Sequence, residues 1–177
     1  KAYKNGKIDK IYTLLNRYAG SIRNVFLLKT ETNLQDSSTY LLNKKNIKTI
    51  QGDLRINQEI VDELVESGEP FTIDNRLFKN EKSMETQYPY IKKALPKAQI
   101  IPIIVSGVPS EKLTNKLKTY ISSSENLLIV TEDLIPYHEK DPKKTNNNGI
   151  ELALQLSKVL NYHPQMFQLA TKSLKVE

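Results

Sequence analysis

The stretch that most narrows the choice of fold is Ile100 to Val105, which reads Ile-Ile-Pro-Ile-Ile-Val. An unbroken apolar run has neither the alternation of a half-exposed strand nor the three-four spacing of a surface helix. Short and rich in β-branched side chains, it suits a strand covered on both faces, the kind found where helices lie above and below a sheet. Pro102 complicates the reading, because proline gives no amide proton to the ladder. It requires a bulge, or a position whose amide faces no partner.

The rest of the chain alternates around this run. Ile8, Ile11, Tyr12, Leu15 and Tyr18 form a helical stripe closed by Gly20. Val25 to Leu28 predicts a short buried strand. Residues 30–43 are polar and read as loop, with Tyr40, Leu41 and Leu42 pinned to the core. Ile47, Thr49 and the run to Asp53 read as a strand or hairpin arm. Asn57 is the expected cap of a helix from Gln58 to Ser67, closed by Gly68, with Ile60, Val61, Leu64 and Val65 facing inward. Ser83 can cap another helix, in which Pro89 predicts a kink or a break. Pro109 and Ser110 open a helix to about Ile121, and Leu127 to Val130 predicts a second buried strand. Residues 141–149 read as a surface loop, followed by helices over 150–160 and 164–174. Strands separated by helices imply an α/β layered sheet with helices on both faces. No repeat or linker divides the chain, so one domain is expected.

Composition removes several classes of function. The 177 residues include no Cys and two His, which excludes a disulfide framework, a zinc ribbon and an Fe–S cluster and leaves little for a His-rich metal site. No apolar run approaches the roughly 18 residues of a membrane span. Lys and Arg outnumber Asp and Glu by 26 to 20, for a net charge of +6. A nucleic-acid domain usually gathers its basic residues. Here they are scattered along the sequence, in pairs at most, such as Lys44-Lys45, Lys92-Lys93 and Lys143-Lys144. A solvated basic surface is the expectation, and nucleic acid is not the expected partner. There is no Gly-x-Ser-x-Gly, no P-loop and no glycine-rich dinucleotide fingerprint. The chain opens on Lys1 rather than Met, which suggests that a segment was removed upstream.

In layered α/β sheets, sites lie beyond the carboxyl ends of the strands. Lys29 to Asn33, Ser106-Gly107 and Thr131 to Tyr137 answer that description, and Asn80 to Glu85 lies at a helix start. Ser106-Gly107 reads either as an anion-binding turn or as plain turn chemistry. Glu132 and Asp133 form an acidic pair suited to a hard cation or, more simply, to capping backbone amides. Glu81 and Glu85 stand four apart; they are paired acids, or one caps the helix and Lys82 screens it. His138 is a displaced ligand, a general base or a solvated loop residue, and His163 sits at a helix entrance.

These segments carry a resemblance. Glu81-Lys82-Ser83-Met84-Glu85-Thr86-Gln87-Tyr88-Pro89-Tyr90-Ile91 resembles the central motif of the Memo family, whose members are also called AmmeMemoRadiSam system protein B. That pattern is Glu/Asp-His-Ser-aliphatic-Glu-x-Gln/His-aliphatic-Pro-aromatic-Leu. Ile101-Pro102-Ile103-Ile104-Val105 is similar to the family's Ile-x-Pro-Ile-x-Val strand, which accounts for the proline. Thr131-Glu132-Asp133-Leu134-Ile135-Pro136-Tyr137 aligns with its Ser-Ser-Asp-x-x-His-Tyr. Arg23 to Thr32 aligns with a strand ending in Gly-Pro-x-His. The ordered set covers roughly residues 8 to 160.

The resemblance implies the Memo fold, similar to class III extradiol dioxygenases, where His and carboxylate side chains at strand ends hold non-haem iron or another divalent metal. It also implies a single Memo-like domain over residues 1–177 that lacks the family's N-terminal strand and C-terminal segment. The ligand positions depart from the pattern: Thr32, Lys82 and Pro136 stand where the family has histidine. A protonated lysine repels a cation, and proline offers no side-chain donor. The expected vestigial site is therefore Thr32, Glu81, Lys82, Glu85, Asp133, Pro136 and His138, with no metal and no cofactor. Lys82 is expected to reach Asp133 and replace the lost metal by a salt bridge. The reading is a pseudoenzyme, a binding or scaffold module for a protein or small-molecule ligand. One alternative is an active enzyme with a remodelled site, using Asp133, Glu132, Glu81 or His138 with or without a hard cation. The other is a basic domain that binds an acidic partner. The resemblance implies a cytoplasmic protein; a signal peptide ahead of Lys1 would place it outside the cytoplasm.

Overall fold

A computed structural model describes residues 7–131 except 32, 33, 35 and 108. The expected loop over 141–149 and the helices over 150–160 and 164–174 lie outside the described residues. In chain order the elements are α1 (Lys7–Leu15), β1 (Asn24–Glu31), β2 (Thr39–Leu41), β3 (Asn46–Ile47), β4 (Leu54–Arg55), α2 (Gln58–Glu66), β5 (Phe71–Ile73), α3 (Lys82–Ala94), β6 (Gln99–Ser106), α4 (Glu111–Ile121) and β7 (Asn126–Val130). A 3-10 turn over Asn16–Tyr18 prolongs α1.

Five strands form one mixed sheet in the order β5-β2-β6-β1-β7. The apolar run lies in β6, the middle strand, where Ile100, Ile101, Ile103, Ile104 and Val105 are all buried. β1 pairs in parallel with β6 on one side and β7 on the other. β2 runs antiparallel to β6 and parallel to β5. β3 and β4 make a separate small hairpin.

The register explains Pro102. Alternate residues of a strand turn their backbone groups to opposite neighbours. The Ile100 carbonyl accepts from the Asn57 amide (3.1 Å), and the Ser106 amide donates to the Ser38 carbonyl (2.9 Å), both on the side away from β1. Pro102 shares their parity, so its missing N–H faces that side. There β2 pairs only as far as Leu41 opposite Ile103. The proline stands one step past the end of the partner strand.

Helices cover both faces. Phe26 packs on Tyr120 of α4, ring centroids 5.2 Å apart, whereas Lys29 reaches Glu81 at the head of α3. Residues 26 and 29 of one strand point to opposite faces, so α4 and α3 lie on opposite sides. α2 joins α4 through the Glu63–Lys116 ion pair at 3.6 Å, and α1 joins α3, where Tyr12 stacks on Tyr90. Asn57 caps α2 by accepting from the Ile60 amide, and Gly68 beyond its end takes φ +78°. Ser110 caps α4 by accepting from Leu113.

Several expectations need correction. Within 30–43, β1 continues through Glu31 and Thr39–Leu41 is a strand; backbone pairing with β6 outweighs the polar composition. β5 had no sequence signal, being three residues long. β7 is an edge strand in which only Leu127 is buried, not a second buried strand. Pro89 does not break α3, which runs unbroken from Lys82 to Ala94. Met84, Tyr88, Ile91 and Ala94 anchor its turns in the core on both sides of the proline. Packing there offsets the lost hydrogen bond.

Candidate functional site

The carboxyl ends of β1, β6 and β7 meet at one edge of the sheet. The Gly107 amide donates to the Glu31 carbonyl (3.3 Å) and the Thr131 amide to the Leu28 carbonyl (2.8 Å). Three of the sequence segments singled out for their position at strand ends therefore adjoin. The register places Lys29 opposite Ile104 and Glu31 opposite Ser106, and Tyr40 opposite Ile104 on the other flank. Side chains opposite one another share a face. Lys29, Glu31, Ser106 and Tyr40 thus belong to one face of this edge, the face under α3.

Lys29 is its centre. Its Nζ lies 2.5 Å from Glu81 Oε2 and 3.5 Å from Glu31 Oε2. The Lys29 and Glu81 side chains are only 12% and 16% exposed. Glu81 also caps α3: its Oε1 accepts from the Ser83 amide (3.0 Å) and the Ser83 hydroxyl (2.7 Å). One carboxylate therefore ties the helix to the strand. Burial by itself would lower the Lys29 pKa, but the hydrogen bond and charge of Glu81, then the charge of Glu31, hold it above its usual value. Burial likewise opposes ionisation of Glu81, and Lys29 with Ser83 outweighs it, holding Glu81 below the ordinary carboxylate range. Both groups are charged at neutral pH.

On the adjoining flank the Tyr40 hydroxyl donates to the exposed Asp36 carboxylate. That bond lowers the Asp36 pKa, helped by the nearby Ser106 hydroxyl and the Ser38 amide, and raises that of Tyr40. Ser106 is fully buried, and its hydroxyl makes no hydrogen bond of good geometry among the described residues.

The expected site residues divide three ways. Glu81 takes its place in the cluster as the cap of α3, as the reading in which one of Glu81 and Glu85 caps the helix expects; Ser83, the other expected cap, instead donates to it. Glu85 and Lys82 are exposed on the first turn of α3, so Glu85 does not share the buried setting of Glu81. The cation that neutralises Glu81 is Lys29, not Lys82. Thr32, Glu132, Asp133, Pro136, His138 and His163 lie outside the described residues. The Gly107 amide is engaged by Glu31, which favours the turn reading of Ser106-Gly107 over the anion-binding one. Lys29 opens the strand-end segment Lys29 to Asn33 but is not among the expected site residues. The signal was there: a lysine that directly follows four apolar strand residues must find a partner or leave the core.

Among the described residues, no group of three or more His, Cys, Asp and Glu is arranged to hold a metal ion. What the arrangement does chemically is neutralise a carboxylate from within.

Comparison with known proteins agrees with the fold. A family model described as Memo-like protein matches residues 7–165. A MEMO1 family protein of Aquifex aeolicus (strain VF5) is 28% identical over 123 residues, a stretch that is 63% of this chain and 33% of that protein. The match over 7–165 spans most of the sequence, so the chain belongs to the Memo-like protein family.

Proposed function

We propose that this chain is a single Memo-like domain that binds or scaffolds and does not catalyse, its strand-end carboxylate Glu81 neutralised by its own lysine. The observation that carries this reading is the Lys29–Glu81 pair at 2.5 Å. A carboxylate whose charge is already met by a lysine attracts a divalent cation less strongly. Both oxygens of Glu81 are engaged, one by Lys29 and one by Ser83. The ammonium would also repel an incoming cation. Glu81 and Lys29 are thus a poor fit to the metal that the resemblance implies. In the alignment that sets Thr32 on the family's histidine, Lys29 falls on its glycine, where no side chain would fill the space. Loss of imidazole at Thr32, Lys82 and Pro136 supports the same reading.

The test is elemental analysis of the full chain purified without chelator. Substoichiometric metal is expected; one Fe, Zn or Cu bound per chain would overturn the proposal in favour of a remodelled, active site.

A further inference from the structure

Basic residues that are scattered in the sequence gather at the opposite, amino-terminal edge of the sheet. Ile56, directly after β4, bridges Ile100 at the start of β6, which sets the β3–β4 hairpin at this edge. α3 delivers its tail to the same place, since β6 begins five residues after it. The Lys92 side chain passes close by Gly52, within 3.8 Å of where a Cβ would stand. The hairpin segment contributes Lys44, Lys45, Lys48 and Arg55 against Asp53 alone, which pairs with Lys48 at 3.2 Å. The tail of α3 and the residues after it add Lys92, Lys93 and Lys97, the Lys92 Nζ donating to the Pro96 carbonyl (2.7 Å); Glu59, in the first turn of α2, and Glu125, beside Arg23 ahead of β7, are acids at this edge.

At the tip of this basic end stands Ile50, 90% exposed. An exposed isoleucine is unremarkable by itself, but the turn that presents it is wired. The Gly52 amide donates to the Thr49 carbonyl (3.1 Å). The Thr49 hydroxyl donates to the Gly52 carbonyl (2.7 Å) and accepts from the Gln51 amide (3.0 Å). Gly52 takes φ +104°, a conformation that a side chain would strain. The apolar side chain is thus held outward and gains nothing from the fold.

We infer that this hairpin end is a docking surface for an anionic lipid bilayer, with Ile50 entering the interface and the lysines facing the headgroups. Lysines near an anionic leaflet are attracted to it, and the attraction falls with salt. The apolar tip favours a bilayer over a nucleic-acid backbone, which would reward the charges alone. The site is independent of the Lys29 cluster and of any catalysis there.

The experiment is co-sedimentation of the full chain with vesicles of phosphatidylcholine containing phosphatidylglycerol, against phosphatidylcholine alone. Binding to the anionic vesicles only, weakened by added salt, is expected. Ile50→Asp should lower the affinity about tenfold, equivalent to about 1.4 kcal/mol, and Lys48→Glu with Lys92→Glu should lower it further, with circular dichroism unchanged. No binding at low salt, affinity indifferent to Ile50→Asp, or tighter binding to a duplex oligonucleotide than to vesicles would each overturn the inference.

Discussion

The two edges of the central sheet are held together by different chemistry. At the carboxyl edge a buried lysine joins β1 to the head of α3 through Glu81. At the amino edge the corresponding tie is a row of neutral amides. Asn57 Nδ2 donates to Asn24 Oδ1 (2.8 Å), Asn24 Nδ2 to Asn126 Oδ1 (2.9 Å), and Asn126 Nδ2 to the Tyr120 carbonyl (2.7 Å). The charges of the amino edge, by contrast, stand in solvent; Lys48 is 85% exposed. Buried charge needs an internal partner and is thereby committed to structure. Exposed charge contributes little to the fold and stays available to a partner. Location, not the number of lysines, separates a structural cation from an interacting one.

The largest effect should come from removing the structural cation. Lys29→Met leaves Glu81 without the lysine that offsets its charge, and should cost about 2 kcal/mol in urea unfolding, below the range for fully buried pairs because some solvent reaches the site. Adding Glu81→Gln should recover part of that loss, since the penalty lies in the orphaned charge; a double-mutant cycle measures the coupling. Strictly additive losses would mean the two side chains do not interact.

The same pair can be read without mutation. Glu81 has a folded pKa below its usual 4.5, so its contribution is present above that value and is lost as pH falls through the folded pKa. Lys29 has a folded pKa above 10.5, so its contribution is present below that value and is lost as pH rises through the folded pKa. Wild-type stability from this edge should therefore hold through neutral pH and fall away at both extremes. Urea midpoints measured across pH, for wild type and for Lys29→Met with Glu81→Gln, isolate this part.

At the amino edge, Asn24→Ala should cost about 1 kcal/mol by leaving amide groups of Asn57 and Asn126 unpaired. Its difference from wild type should not vary with pH, because no group in the row titrates. The smallest effect is expected for Lys48→Ala, which should leave the melting temperature where it is, since its partner Asp53 also bonds Asn46 (2.6 Å).

How far the sequence foretold this depended on whether the deciding interaction was local. Asn57 and Ser110 announced their helices because a cap acts within three residues. The β6 run announced a covered central strand because its own side chains require burial. β2 and β5, three residues each, exist through pairing with distant partners; the sequence marks Tyr40 and Leu41 as core residues but not as a strand. Pro89 does not end its helix for the opposite reason: its local cost is real, but the buried stripe on both sides of it decides. At the candidate site, Glu81 was legible from its motif. Its partner was not, because Lys29 lies 52 residues away and only the parallel register of β1 brings the two together. The basic edge escaped notice in the same way, since clustering in space left only isolated pairs in the sequence.

The central claim is that Glu81 is neutralised from within by Lys29, and carbon-detected NMR titration of the Glu81 carboxyl tests it most directly. In the wild-type chain its pKa should lie below 4.5, and in Lys29→Met it should rise, because burial then opposes ionisation with only Ser83 to offset it. A wild-type value at or above 4.5 that does not move when Lys29 is removed would contradict the account.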